Sequence, residues 1–375
     1  MSAGPAVQQR VTGYGSGMRV VVVGATGNVG TALLRRLGAE PDVEVAGVAR
    51  RLPPAEGVYR DVEWHSVDVG ADDAAGRLGE VFRGADAVVH LAWQIQPSHH
   101  PRRLFRTNVL GSREVVRAAL DARVRSLVLA SSVGAYAPGP KQGYVRESWP
   151  HTGVRESSYS RHKALVERLL DQVEKDGAAL RVVRVRPGLT FQRDAGVEIA
   201  RYFAGPLLPA GLLRYQRIPV LPQHPRLRMQ AVHADDVADA YARILRSDVR
   251  GAFNLAAGPV LDPALAATEF HGVRVPVPAP VLTGAAAVTW RLRLQPVDAG
   301  WVRLALDAPL MWCERAEREL GWRPSRDALS ALRELLTGMA ERAHGEGPPL
   351  TGVPYRPGRL GGLVRGRLPG KGDPY

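Results

Sequence analysis

Tyr159 and Lys163 stand four residues apart in the run Tyr-Ser-Arg-His-Lys. On a helix that spacing puts both side chains on one face, where an ammonium can act on a phenol. A free phenol titrates near about 10 and is a poor base at neutral pH, but a neighbouring cation favours the phenolate and lowers that value. Tyr159 is thus a candidate general acid or base, with Lys163 as the group that tunes it. Ser131 and Ser132 close the apolar run from Ser126, which reads as a strand. In an open parallel sheet ligands collect outside the carboxyl ends of the strands, so a serine at that end faces whatever is bound.

Such side chains need a frame, and the stretch Arg19 to Gly30, RVVVVGATGNVG, supplies its centre. Val20 to Val23 form a β-branched run with no polar alternation, the pattern of a strand buried on both faces. Gly24, Gly27 and Gly30 follow at intervals of three and lead into a segment whose Leu33, Leu34 and Leu37 recur at helical spacing. Strand, glycine turn and helix in that order predict a dinucleotide site. Glycine lets the backbone approach a diphosphate and the helix pack on the strand, and the free N–H groups meet the phosphates. A second strand, Val43 to Val48, ends in Ala49-Arg50-Arg51. An acidic residue there would bind an adenosine ribose hydroxyl, whereas arginine accommodates a 2′-phosphate. NADP is therefore expected in preference to NAD.

Further strands are expected at Val62 to Val67, within Ala85 to Trp93, at Ser126 to Ser132, at Leu180 to Val185 and at Gly251 to Leu255. Helices are expected at about 103–122, at 159–175, and after His233, the last capped by Asp235 or Asp236. The alternation predicts an α/β fold: a doubly wound parallel (Rossmann) sheet with a smaller, irregular C-terminal substrate-binding region. Residues 1–17 read as a flexible leader, 18–187 and 230–258 as the dinucleotide-binding domain, 188–229 and 259–340 as the substrate-binding region, and 341–375, rich in Gly, Pro and Arg, as a mobile tail.

Composition sets the outer limits. The 375 residues are 45% hydrophobic and 23% charged, ordinary globular values. The formal charge of +13 rests on scattered arginines, since only Lys141, Lys163, Lys175 and Lys371 are lysines. Without an aromatic-interleaved basic motif it predicts a solvated surface and no nucleic-acid partner. Pro276, Pro278 and Pro280 break the most apolar stretch, Val273 to Val288, so no membrane span is expected. Cys313 stands alone, which excludes an internal disulfide and fits a reducing cytoplasm. His99 and His100 have no further His or Cys at ligand spacing, and no metal site is expected. The expected partner is a small-molecule substrate, with a homodimer left open.

The order GATGNVG, HLAW, SSVGAY, YSRHK, RPG, VHADDVADA and LGWRP resembles the extended short-chain dehydrogenase/reductase family, the NAD(P)-dependent epimerase/dehydratase group. The likeness covers most of residues 18–340. It implies that Ser132, Tyr159 and Lys163 are catalytic and that Lys163 also binds the nicotinamide ribose. It implies a cofactor held by Gly24, Thr26, Gly27, Asn28, Val29 and Gly30 of the turn, and by Arg50 and Arg51 after the second strand. Asp68 and Val69 match the pair at the adenine, Leu91 and Ala92 the strand along the cofactor, Asn108 the asparagine of an NVxG helix, and Pro187 the residue beside the nicotinamide. Members that dehydrate sugar nucleotides carry Asp-Glu directly after the serine or threonine. Val133 and Gly134 stand there in this chain, and the asparagine that often holds a uridine nucleotide is replaced by Pro187. The expected activity is hydride transfer at a carbonyl or carbinol carbon, as oxidoreductase or epimerase; the alternative is a non-catalytic NADP(H)-sensing protein of the same fold.

Overall fold

A computed structural model describes residues 17–204 and 215–350. Its first half alternates: β1 (Met18–Val23), α1 (Asn28–Leu37), β2 (Val43–Ala49), β3 (Glu63–Ser66), α2 (Ala74–Phe82), β4 (Ala87–His90), α3 (Pro101–Phe105), α4 (Gly111–Asp121) and β5 (Ser126–Ala130). There follow β6 (Tyr144–Val145), α5 (Ser158–Lys175), β7 (Arg181–Pro187), β8 (Leu189–Phe191), α6 (Gly196–Ile199), β9 (Val220–Gln223) and β10 (Met229–His233). Next come α7 (Ala234–Leu245), β11 (Gly251–Leu255), β12 (Ala257–Leu261), α8 (Pro263–Glu269), β13 (Val273–Pro276), α9 (Ala279–Arg291) and α10 (Ala299–Asp307). The short β14 (Leu310–Met311), α11 (Glu314–Leu320) and α12 (Ala328–Glu341) complete the described chain.

Seven parallel strands form the central sheet in the order β3-β2-β1-β4-β5-β7-β11, a doubly wound topology. The valine run of β1 shows why. Val20 and Val22 pack with α1 and α7 on one face, while Val21 and Val23 pack with α2, α4 and α5 on the other. Strand order reverses between β1 and β4, and a crevice opens there at the carboxyl ends.

A second, three-stranded sheet, β12-β10-β8, packs with α12 around Phe191, Phe270, Leu335 and Leu336. This corrects the expected boundary at residue 230: β10 pairs with β8 and β12, and the chain rejoins the dinucleotide-binding unit at α7. The cap of α7 is also corrected. His233 Nδ1 accepts the Asp235 N–H at 3.1 Å, whereas the Asp236 carboxylate accepts from the Ser325 backbone and hydroxyl. The helix expected over 103–122 is interrupted by a π-helical turn, Arg106–Leu110. The tail expected from 341 begins too early as well, because Ala343 and Leu350 are buried, Leu350 within the second core. The rest of that tail, 351–375, the leader through residue 16, and Pro206 and Pro209 lie outside the described residues. Among the described residues no helix is long and apolar enough to cross a membrane.

Candidate active site

The glycine turn is shaped by close approaches. Gly24 has φ +89°, and a Cβ there would lie 2.5 Å from the Ala92 backbone nitrogen. A Cβ at Gly30 would meet the Gly24 carbonyl oxygen at 2.5 Å. Both positions exclude a side chain, so α1 presses against β1 and the loop after β4 crosses above it. A Cβ at Gly27 would meet only the Gly24 carbonyl oxygen, at an ordinary 3.5 Å, and Gly27 lines a cleft at the carboxyl ends of the strands. That cleft is lined by Gly24, Thr26, Gly27, Arg50, Arg51, Asp68, Val69, Leu91 and Ala92, nine of the residues expected to hold a cofactor, together with Trp93 and Gln94.

The remaining expected contacts are placed otherwise. Asn28 faces the second sheet, donating to the Thr190 carbonyl at 3.1 Å and accepting from Gln192 at 2.6 Å. Val29 packs on the first core. Asn108, fully buried in the π-helical turn, accepts from the Gln94 N–H at 2.7 Å and donates to the Gln94 carbonyl at 2.9 Å, which fixes the loop along the cleft. Pro187 ends β7 opposite Leu255. Asn28, Val29, Gly30, Asn108, Lys163 and Pro187 are thus outside the cleft lining, though several of them set its shape.

Ser132, Tyr159 and Lys163 converge just beyond β5. Ser132 caps the short turn Val133–Ala135, its Oγ accepting the Gly134 N–H at 3.0 Å, and the Ser132 and Tyr159 side chains meet at Gly134, where a built Cβ would lie 3.4 Å from Ser132 Oγ and 2.9 Å from the Tyr159 ring. Helix α5 is tied to that turn by Ser160, whose hydroxyl donates to the Gly134 carbonyl at 2.5 Å and accepts the Val154 N–H at 2.6 Å. Gly134 thus has no room for a Cβ. Two aromatic rings flank the phenol, Trp301 at 4.9 Å and Trp93 at 6.1 Å between centroids, and Phe203 packs 5.0 Å from Trp301.

Lys163 donates to the Ala130 carbonyl at 2.6 Å, and its ammonium lies 3.5 Å from the centroid of the Trp93 ring. Burial pulls it down to about 7, opposed by the charge of Glu167. Burial also pushes the Tyr159 phenol up to about 12, opposed by the Ser132 hydroxyl. The expectation of a lysine-lowered phenol is therefore corrected. The ammonium is engaged by a carbonyl and an indole face, 5.8 Å from the centre of the tyrosine ring, and desolvation dominates. At neutral pH the phenol carries its proton.

Behind the pair lies an ion cluster that the sequence reading missed. Glu167, fully buried and one helical turn after Lys163, accepts from Arg186 Nε at 2.8 Å and Nη2 at 2.9 Å, lies 3.1 Å from Arg184 Nε, and accepts from the Ser131 hydroxyl at 2.5 Å. Arg186 also donates to the Tyr136 hydroxyl and the Glu147 carbonyl. The signal was available: two arginines two apart in a strand flanked by valines, and a glutamate on the Lys163 face of the helix. No group of three or more His, Cys, Asp or Glu among the described residues is placed to hold a metal.

The chain is similar over 344 residues, at 27% identity, to an uncharacterized protein of Mycobacterium tuberculosis; the match takes in 90% of this chain and 32% of that protein. It therefore spans about a third of the length of that relative. It is 28% identical over 182 residues to a 2-alkyl-3-oxoalkanoate reductase of Shewanella oneidensis, covering 45% of this chain and 44% of the reductase. Its fold is similar, with TM-score 0.64 and 21% identity, to DesIV, a dTDP-glucose 4,6-dehydratase of Streptomyces venezuelae solved with NAD, over 89% of this chain and 100% of that one. The model of the NAD dependent epimerase/dehydratase family matches residues 20–256, and the chain belongs to that family.

Proposed function

We propose that this chain is a dinucleotide-dependent oxidoreductase or epimerase that moves hydride to or from a carbonyl or carbinol carbon while Tyr159 exchanges the proton of its oxygen. The observation that carries the reading is the convergence of the Ser132 and Tyr159 side chains on Gly134, at the carboxyl end of β5, with Trp93 of the glycine-turn cleft packed against the Tyr159 ring. The residues present fit a dinucleotide. Gly24 and Gly30 hold the turn in contact with its neighbours, and Gly27 lines the cleft at the start of α1, where a diphosphate would meet free N–H groups. Arg50 and Arg51 line the same cleft, which supports NADP over NAD.

When bound, the nicotinamide would supply the hydride chemistry. The protein's part is proton transfer and positioning. Tyr159, protonated at neutral pH, serves as the acid toward a developing alkoxide, a role that suits reduction of a carbonyl. Ser132 donates a second hydrogen bond to that oxygen and holds it in place. Lys163 anchors α5 to the end of β5 through the Ala130 carbonyl and is the residue that would hold the nicotinamide ribose. Val133 and Gly134 offer no acid or base, so the Asp-Glu pair that follows the serine or threonine in dehydrating members has no counterpart at these two positions, which argues against loss of water from a sugar nucleotide. The Shewanella relative, a reductase of 2-alkyl-3-oxoalkanoates, supports a keto substrate, and the indole and phenyl walls of Trp93, Trp301 and Phe203 suit an apolar body next to that carbonyl.

The test is consumption of NADPH and NADH by the purified chain against a panel of alkyl and aryl ketones, β-keto acids and UDP-glucose, with Ser132→Ala in parallel. Consumption with a ketone or keto acid, and a loss of turnover in Ser132→Ala at unchanged NADPH affinity, is the expected result. Binding of dinucleotide without turnover of any compound would favour the sensing alternative.

A further inference from the structure

Where the expected tail begins, the chain doubles back. After α12, Arg342 turns with φ 56°, the Ala343 N–H donates to the Gly338 carbonyl at 2.7 Å, and the Ala343 carbonyl accepts the Val197 N–H at 3.2 Å. A tight loop follows: the Gly345 N–H donates to the Leu350 carbonyl at 3.1 Å, and the Leu350 N–H to the Gly347 carbonyl at 2.9 Å. Leu350 is fully buried in the second core. The tip of the loop rests on the dinucleotide-binding unit. A Cβ at Gly347 would stand 2.4 Å from the Tyr59 hydroxyl oxygen and 3.3 Å from the Thr26 carbonyl oxygen of the glycine turn. Tyr59 is itself buried, with its hydroxyl 2.9 Å from Thr31 Oγ1 on α1. Pro348 and Pro349 then enter the lining of the cleft with Thr26, Gly27, Arg50 and Arg51, and Arg201 donates to the Pro349 carbonyl at 3.3 Å.

From this arrangement we propose that residues 343–350 are part of the dinucleotide-binding site, a clasp whose two prolines form the wall facing the glycine turn and slow the release of bound cofactor. The proposal rests on the reading that the cleft takes a dinucleotide. Three properties fit the role. Proline offers an apolar ring and no N–H, so the wall sheds water from the side on which phosphate would meet arginine, and charge pairing strengthens where water is excluded. Proline is also stiff, so ordering the wall costs little entropy on binding. The clasp is pinned on one side to Tyr59 and Thr26 and on the other to Val197, Arg201 and the second core, so it joins the cofactor cleft to the region expected to take substrate.

The experiment uses the full chain and three variants: Gly347→Val, which cannot sit against Tyr59, the double change Pro348→Gly with Pro349→Gly, and Arg50→Ala as a cleft control. Equilibrium titration and stopped-flow displacement of NADPH and NADH are read by protein fluorescence. The expected result is a weakening of about tenfold for both nucleotides in both clasp variants, mostly as faster dissociation. Wild-type affinity and release rate in folded clasp variants would overturn the clasp and leave the cleft reading intact. Failure of the wild type to bind either nucleotide would overturn both together. Amide hydrogen exchange of the wild type keeps the test decisive if a variant does not fold: protection across 343–350 should rise on addition of NADPH, and unchanged protection there, with protection gained at the glycine turn, would overturn the clasp alone.

Discussion

Beside the end of the cleft proposed to carry the chemistry, Ser132 caps a turn directly after β5, Tyr159 and Lys163 ride on an eighteen-residue helix, and a buried ion cluster locks that helix to β7. At the arginine end, Arg50 and Arg51 follow β2 in a bend, half-buried, and the facing wall comes from residues almost three hundred positions away. The first end is assembled from neighbouring regular elements held by buried bonds; the second takes part of its wall, Pro348 and Pro349, from a loop that follows α12. The difference fits the tasks. Proton transfer needs hydroxyls fixed to within a fraction of an ångström, whereas a cofactor must enter and leave.

The largest effect should come from breaking the rigid end. Glu167→Ala would leave Arg186 charged and buried without its carboxylate, while Arg184 keeps Asp171 and Glu174, a loss of about 3–5 kcal/mol. Urea unfolding measures it, and a loss below about 1 kcal/mol would mean that the cluster is not what holds α5 on β7. At the open end the penalty is smaller and falls on binding. Arg50→Ala with Arg51→Ala should leave the fold intact and cost NADPH about 1.5–3 kcal/mol, roughly tenfold or more, with little change for NADH. Equal loss for both nucleotides, read by titration, would take the arginines away from the 2′-phosphate.

A subtler contrast lies in pH. Burial holds Lys163 at about 7, below its ordinary 10.5, so the unfolded chain keeps that proton more tightly. Below about 7 both states are protonated and the native state bears the full burial cost. Between about 7 and 10.5 the native state sheds the proton first, and stability rises. Wild type should therefore gain stability relative to Lys163→Met as pH climbs through that window. Parallel curves for the two proteins, from urea titrations at several pH values, would show that Lys163 is not desolvated in the folded chain.

Legibility in the sequence follows the same divide. The valine run, the glycine spacing, the strand-end serine and the Tyr159–Lys163 interval are local patterns on regular elements, and the structure places them as those patterns imply. What could not be read was set by distant partners. Asn28 looks like a member of the glycine turn until Thr190 of the second sheet and Gln192 just after it are seen to engage it. The phenol's acidity depends on burial under Trp301 and Trp93, which spacing within one helix does not encode. The Gly-Pro composition at 345–349 has the look of a tail, and only the docking of Gly347 on Tyr59 makes it a wall. Glu167 is the exception, legible by its helical offset from Lys163 and passed over because charged residues are so rarely buried.

The central claim is that binding and chemistry separate at Tyr159. The direct measurement takes Tyr159→Phe, which removes one hydroxyl and keeps the ring, and determines NADPH affinity and turnover of a ketone that the wild type consumes on the same preparation. Affinity should match the wild type while turnover falls by ~10²- to 10⁴-fold. Full turnover in Tyr159→Phe would contradict the account, because the proton would then come from another group and the convergence of Ser132, Tyr159 and Lys163 would have no chemical role.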